Sequence, residues 1–526
     1  MFDVLIKGAA VIDGTGQKAK VEDVGIKGDS IVEVGQIDSI EAGEIFNGRG
    51  YFLCPGFIDV HSHSDFNILA EPSGGSKIKQ GVTTEVCGNC GLSAAPLLGD
   101  YKKQREKSVK ALGVDISWSD FKEYRQVLEE KGLPLNIISL VGHGNLRGAV
   151  MGYENRKASA SEINEMKILL EKEMKEGAWG LSSGLIYPPG VFAGQDELVE
   201  LNNIVKEFNG IYTSHIRSEG DYLIDAIDEV IAVAKETGVS LQISHLKTMG
   251  EKNWNKLPLV FEKIEQALDE GMDVRADRYP YIAGSTGLGA VLPAWAGAGG
   301  ADAEIERIRP GLIREKIFSE MLEAVSEKEI AETIMIARVI TEENRYLEGK
   351  FVGEAAQLRG QHVKDALFDL LLEEGLDVDA IFFSMNEGNL REILKKDYVM
   401  PGSDASVWGT SGSLAKGKPH PRAFGTFPRF IKKYAMEEKL FELETAVKKM
   451  TAFPAEKFGI ADRGRIRKGF KADIVIFDPH KIADRATYDD PHQYPDGILS
   501  VMVNGKWVVK ENNFTDEKPG KVLLES

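Results

Sequence analysis

The 526-residue sequence predicts an α/β protein, a (β/α)8 barrel that carries an inserted lid subdomain and a small β-sandwich domain built from both chain ends. Three observations carry this reading. Between residues 56 and 462, short apolar runs alternate with amphipathic stretches such as "DELVELNNIVKEFNG" and "LIDAIDEVIAVAKETG", the pattern of repeated βα units around a parallel sheet. Residues 1–55 and 463–526 show instead short alternating strands broken by Gly and Asp turns, with no helical period. The stretch from Thr286 to Asp379 is far longer than the ~2–6 residues of an ordinary βα loop.

At the amino end, "DVLIKGAAVIDG" and "DVGIKGDSIVEVGQI" read as twisted strands. At the carboxyl end, "GFKADIVIFD" and "ILSVMVNGKWVVKENN" read the same way, with Asn504-Gly505 as a hairpin signal. The simplest packing joins the two in one sandwich. The barrel strand candidates are "FIDVHSHSDF", "TTEVCGNCG", "NIISLVGHG", "WGLSSGL", "GIYTSHI", "LQISHL", "DVRADRY", "AIFFSMN" and "YVMPGSD". That is one more than a (β/α)8 barrel needs. "AIFFSMN" is set aside because it carries no obvious site residue. A Rossmann sheet would also alternate, but no G-x-G-x-x-G opens a helix. The insertion, assigned to residues 286–350, begins with the apolar "STGLGAVLPAWAGAGG" and continues into the charged helical run "RPGLIREKIFSEMLEAVSEKEIAE".

Hydrophobic residues make up 43% of the chain and charged residues 28%, with no bilayer-length apolar stretch and no leader-like amino terminus. These features suit a soluble cytoplasmic protein without a membrane partner. A formal net charge of -18 argues against nucleic acid as the main partner. Cys54, Cys87 and Cys90 are the only cysteines, too few for a disulfide framework, which suits a reducing compartment. Homo-oligomerisation stays open.

In a barrel, the carboxyl ends of the strands share one rim. His61 and His63 end the first candidate strand, Cys90 follows the second, His143 ends the third, His215 the fifth, His245 the sixth and Asp404 the eighth. In an extended chain His61 and His63 project from the same face. Imidazole, thiolate and carboxylate donors together suit Zn²⁺, in numbers sufficient for two ions. A single His-x-His is as often a hydrogen-bonded surface feature, so the joint placement carries the argument. Cys87 and Cys90 form a C-x-x-C with no second pair to complete a four-thiolate site. Period-two alternation makes Cys87 a buried small hydrophobe and leaves Cys90 on the rim loop. Cys54, just before a proline, is most simply structural.

The stretches "PGFIDVHSHSD", "GVTTEVCGNCG", "GLSSGLIYPPG", "YTSHIRSE", "ISHLK", "YPYIAGST", "GSDA", "HPRAFGTFPR" and "GRIRKGFKADIVIFD" together resemble the amidohydrolase superfamily. Within it they resemble the D-aminoacylase (N-acyl-D-amino-acid deacylase) family. The resemblance spans nearly the whole chain and implies a TIM-like metallo-dependent hydrolase barrel. It implies that Cys90, His215 and His245 hold one Zn²⁺ tightly, and that His61, His63 and Asp404 define a second, weaker position. It also implies that Lys247, Tyr279, Ser285 and Arg422 bind the substrate carboxylate, with His143 lining the pocket or stabilising an oxyanion. The segment "ASVWGTSGSLAKGK" between Asp404 and His420 is longer than the family pattern.

The reaction so implied is hydrolysis of N-acyl-D-amino acids, with Asp404 moving the proton from water to the departing amine. No cation stands in "GLGAVLPAWAGAGG" to read an acidic side chain, which favours neutral or hydrophobic substrates. "GLSSGL" is expected to supply close backbone approach at the barrel mouth, where a ligand enters. A cyclic-amide hydrolase of the hydantoinase or dihydroorotase kind and a D-dipeptidase are the enzymatic alternatives. A catalytically inactive barrel scaffold is the non-enzymatic one. Nucleobase deamination suits Lys247 and Arg422 less well than a carboxylate-bearing substrate does.

Overall fold

Strands from the two chain ends hydrogen-bond into one nine-stranded sheet in a computed structural model that describes residues 1–38 and 41–525. The seam is the antiparallel pairing of Phe52–Pro55 with Ile474–Phe477, which sets Cys54 opposite Val475. The sheet is continuous and folds onto itself. Phe46 and Trp507, from opposite regions of it, meet with ring centroids 5.5 Å apart over a core that includes Ile6, Val24, Ile474 and Met502. The hairpin between Ile498–Val503 and Lys506–Lys510 turns through Asn504 (φ 46°) and Gly505 (φ 78°), the two left-handed residues that a type I′ turn demands.

The last segment departs from the expected boundary. Leu133 pairs with Pro519 and Gly520, and Ile137 with Val522, so the chain terminus leaves the end sheet and runs beside a barrel strand. Burying the apolar Val522 there is the physical reason.

Eight parallel strands form the barrel. They are β1 (Phe57–Asp59), β2 (Val82–Cys87), β3 (Asn136–Ser139 and Val141–Gly142), β4 (Gly180–Gly184), β5 (Ile211–His215), β6 (Ser240–Ile243), β7 (Val274–Arg278) and β8 (Val399–Pro401). Each pairs with the next along β1 to β3 and along β3 to β7, and β7 pairs with β8. A bridge between Ser62 and Ala405, just past the ends of β1 and β8, closes the ring. β2 is buried at every residue, as expected for a parallel strand covered on both faces.

"AIFFSMN" takes no part in the barrel. Asp379–Phe382 is the middle strand of a three-stranded antiparallel sheet, between Gly284–Gly287 and Ile334–Arg338. This sheet and its helices enclose a separate core that includes Leu288, Ile317, Ile336, Phe368, Leu371 and Ala380. An end at residue 350 would remove the central strand and the helices Val352–Arg359 and Val363–Glu373 from that core. The inserted unit therefore continues to Phe382.

Beneath the barrel mouth lies a fully buried ammonium. Lys77 Nζ sits 2.8 Å from Asp59 Oδ2 and 2.7 Å from Glu85 Oε1, and it donates to Ser403 Oγ and to the carbonyl of Ala405, each at 2.8 Å. It thus joins β1, β2 and the segment that follows β8. Replacing Lys77 with Met leaves Asp59 and Glu85 buried without their cation. Removing one partner of a buried pair costs about 3–5 kcal/mol, so K77M is expected to unfold at lower temperature and lower denaturant concentration, measured by circular dichroism.

Candidate active site

The loop after β2 is shaped by backbone that only glycine permits. A Cβ on Gly184 of β4 would stand 2.0 Å from the carbonyl oxygen of Cys90, and one on Gly91 would stand 2.6 Å from the Gly184 nitrogen. Ser182 Oγ accepts the Gly91 N–H at 3.0 Å and donates to the Gly88 carbonyl. Gly184 of "GLSSGL" therefore admits the Cys90 loop, and the close approach there is made by backbone. Cys90, His245 and Asp404 all adopt left-handed backbone, at φ 54°, 36° and 49°. Such conformations cost about 1–3 kcal/mol in residues other than glycine and concentrate at functional sites.

Four of the donors converge on one point. Ligand atoms of His61, Cys90, His245 and Asp404 all lie within 4.8 Å of one another. Cys90 Sγ is 3.3 Å from His61 Nε2 and 3.5 Å from His245 Nε2. Asp404 Oδ1 is 3.4 Å from His61 Nε2 and 3.1 Å from His63 Nε2. The His215 ring stands 4.4 Å, centroid to centroid, from that of His245. His215, Glu219 and His245 make a second mutually close group.

The electrostatics are those of donors held out of water. Burial alone would raise the Cys90 thiol, but His61 and His245 beside it hold it well below the usual thiol range. Burial likewise opposes ionisation of Asp404, yet Arg422, His245 and His61 keep its carboxyl well below the ordinary value. Burial disfavours a charged His63, and Asp404 and Cys90 nonetheless push its pKa up to about 9. Burial lowers His215, and neither of its ring nitrogens, both buried, has a hydrogen-bond partner. An imidazole left unsatisfied beside a thiolate, two more imidazoles and a carboxylate is the donor set that Zn²⁺ requires, so the residues fit the ion.

A cationic cradle adjoins the cluster. Arg422 Nη1 lies 2.8 Å from Asp404 Oδ2, Nη2 donates to the Ser285 carbonyl at 3.1 Å, and the guanidinium covers the Tyr279 ring at 4.5 Å. Lys247 pairs with Glu219, and its Nζ lies 2.7 Å from His245 Nδ1. Lys247, Tyr279, Ser285 and Arg422 all line one cavity of about 1160 Å³, together with His63, Cys90, His215, His245 and Asp404. The long segment after Asp404 also lines it, through Trp408, Leu414 and Lys416. His492 anchors that segment at the carbonyls of Gly409 and Gly417.

His143 is not brought to this cavity. It opens the helix His143–Met151, and its Nε2 lies 2.7 Å from Glu197 Oε1, whose other oxygen pairs with Arg147. An imidazole so committed supports the packing of two helices, and the expected pocket or oxyanion role is corrected accordingly.

The profile of the amidohydrolase family matches residues 44–344 and 369–509. The chain belongs to that family. It is 35% identical over 525 residues to a D-aminoacylase of Alcaligenes xylosoxydans xylosoxydans, covering 100% of this chain and 98% of the relative. It is also 35% identical to an N-acyl-D-glutamate deacylase of the same organism, covering 99% and 96%. The crystal structure of N-acyl-D-glutamate deacylase from Bordetella bronchiseptica, complexed with zinc and a phosphonate mimic of the tetrahedral intermediate, superposes with a TM-score of 0.85 at 33% identity over 99% of both chains.

Two residues of this amidohydrolase escaped the reading by strand ends. Asp277, fully buried on β7, approaches His61 Nδ1 to 3.2 Å and accepts the His245 backbone N–H at 2.8 Å and Gln242 Nε2 at 2.7 Å. Glu219, four residues after His215, sits 2.8 Å from His245 Nδ1. A carboxylate on the far nitrogen of an imidazole fixes its tautomer and direction. The signal for Glu219 was its i, i+4 spacing from a histidine. Asp277, inside a strand, had none. Replacing Asp277 with Ala frees the His61 ring and is expected to weaken zinc binding about 10–100-fold, measured by competition with a chelator of known affinity.

Proposed function

We propose that this chain is a zinc-dependent N-acyl-D-amino-acid deacylase, releasing a carboxylate and a free D-amino acid. One observation carries the reading: a thiolate–imidazole–carboxylate cluster and a cationic cradle line the same cavity. The relatives support it, since their names describe action on N-acyl-D-amino acids and one was solved with zinc. Cys90, His215 and His245 would hold the tightly bound ion, with His61, His63 and Asp404 defining a weaker second position. When bound, zinc supplies Lewis acidity towards the amide carbonyl and eases deprotonation of water near neutral pH.

The protein's own groups do the rest. Arg422 Nη1, the Tyr279 hydroxyl, Ser285 and Lys247 hold the substrate carboxylate, a planar acceptor suited to guanidinium, ammonium and hydroxyl donors. Arg422 is paired with Asp404 in the free protein. A substrate carboxylate drawing Arg422 away would leave Asp404 more basic when it is needed as proton acceptor. Asp404 takes a proton from the attacking water, the water oxygen bonds to the acyl carbon, and the same proton passes to nitrogen as the carbon–nitrogen bond breaks. The side chain lies towards the inserted sheet, where Ala290, Val291 and Phe382 present apolar surface. Arg338 nearby is neutralised by Asp377 and Asp379. This supports neutral or hydrophobic side chains. The three buried, unpaired thiols suit a reducing, cytoplasmic setting.

Asp404→Asn is expected to lower kcat on N-acetyl-D-leucine by at least about 100-fold while tightly bound zinc is retained, read by amine release and metal analysis. In a panel of paired N-acetyl-D- and N-acetyl-L-amino acids, the D series should react faster, lose activity with chelator and regain it with zinc. Equal rates on the two series would overturn D-selectivity. Hydantoin ring-opening without N-acetyl cleavage would select the cyclic-amide alternative.

A further inference from the structure

The cavity exceeds the roughly 300–1,000 Å³ of common small-molecule pockets and has room beyond an N-acetyl amino acid. Most of its arginines and lysines are paired with carboxylates. Arg217 pairs with Glu229, Lys247 with Glu219, Lys252 with Asp221, Arg338 with Asp377 and Asp379, Arg345 with Glu342 and Arg422 with Asp404. Among the described residues, Arg105 and Lys416 are the lysine and arginine side chains lining the cavity with no carboxylate at ion-pair distance, Asp65 acting on Arg105 only from further off. In a chain of net charge -18, a cavity cation left unpaired is available to a ligand.

Arg105 lies on the helix Gly99–Val109, which follows β2. Its Nη2 donates to Tyr101 Oη at 3.1 Å, and its guanidinium lies 5.8 Å from the Phe66 ring and 5.6 Å from the Tyr101 ring. These contacts orient the group and leave its other N–H donors without partners among the described residues. Phe66 follows His63 by three residues, and Arg105 and His63 line the same cavity. In the carboxylate cradle, by contrast, Lys247 follows β6, Tyr279 and Ser285 follow β7, and Arg422 follows β8. In a closed ring of eight strands, β2 and β6 face each other across the mouth.

The substrate's connectivity decides what reaches Arg105. In an N-acyl amino acid the carboxylate and the side chain lie on the amine side of the scissile bond, and the acyl group lies on the other side. With the carboxylate at this cradle and the amide over the donor cluster, the acyl group extends to the β2 wall.

We propose that Arg105 binds a carboxylate at the far end of the acyl group, so that preferred substrates are D-amino acids carrying a dicarboxylic acyl group such as succinyl. This rests on the deacylase reading. Hydrolysis then adds one water across the amide and yields a free dicarboxylate and the D-amino acid. Lys416 follows the turn Ser413–Ala415, which packs against Lys110–Leu112 beyond the Arg105 helix, and its loop also bonds to the inserted sheet through the Lys418 N–H to Ala337, so a side-chain carboxylate is a second anion to be told apart from an acyl one. N-acetyl-D-glutamate is therefore the arm that separates the two sources of a second carboxylate.

The test measures kcat/KM of the zinc-loaded wild type, Arg105→Met and Arg105→Lys on N-acetyl-D-leucine, N-succinyl-D-leucine and N-acetyl-D-glutamate. The wild type should favour the succinyl over the acetyl substrate. Arg105→Met should lower that ratio about tenfold, the size of a lost hydrogen bond to a charged group, and Arg105→Lys should restore part of it. An unchanged ratio, or a loss confined to N-acetyl-D-glutamate, would overturn the assignment. Failure of the deacylase reading shows separately as no turnover on any of the three. Calorimetric titration with N-succinyl-D-leucine still decides the matter in that case, because Arg105→Met must then weaken its binding about tenfold.

Discussion

One buried carboxylate, Asp277 on β7, ties His61 after β1 to Gln242 and His245 on and after β6. It has no contact with water, and its two oxygens take the ring nitrogen of His61, the backbone N–H of His245 and the side-chain amide of Gln242. An ionised group in such a setting is tolerable only when every lone pair is used, so its partners are held in fixed positions. The space it needs is visible in Gly402, where an added Cβ would come within 2.9 Å of His61 and 3.4 Å of Asp277. The "GSD" turn thus has glycine where any side chain would crowd the His61 Cβ and Asp277 Oδ1.

A second buried charge works from below. Lys77 and its partners Asp59, Glu85 and Ser403 fasten the starts of the loops that bear His61, His63 and Asp404. These two polar networks lie inside a barrel whose outer contacts are apolar. Hydrophobic burial is non-directional and holds the barrel together. The hydrogen-bonded charges are directional and set where each ring points. The positive backbone angles at Cys90, His245 and Asp404 are what such a framework can hold against local preference.

The cavity shows the same economy of charge. Cations that approach the inserted sheet or the outer loops are cancelled by carboxylates from neighbouring segments, and Arg422 is shared between Asp404 and the Ser285 backbone. Attraction for an anionic substrate is thereby confined to a few directions. An acidic chain with fully paired cavity cations would repel such a ligand. The residual positive groups give it a path and an orientation.

Much of this was legible along the chain, because strand ends in a (β/α)8 barrel converge by topology and a histidine at one strand end therefore predicts its neighbours at others. His61, His63, Cys90, His215, His245 and Asp404 stand out that way, and the structure brings ligand atoms of His61, Cys90, His245 and Asp404 together; the hairpin at Asn504-Gly505 is legible in the same local fashion. His143 departs from the same logic, since its strand end passes at once into the helix His143–Met151 and its ring is held by Glu197 of the separate helix Gln195–Glu207. The limits of the insertion were hidden because "AIFFSMN" pairs only with segments about fifty and a hundred residues away. By itself the sequence determined the βα repeat, the order of donors and their chemical type, all of which depend on local pattern and residue identity. Only the tertiary structure decided which charges cancel, which imidazole is held by Asp277 and which cations remain for a ligand, because a pairing energy depends on distance through space and a chain carries no record of that distance.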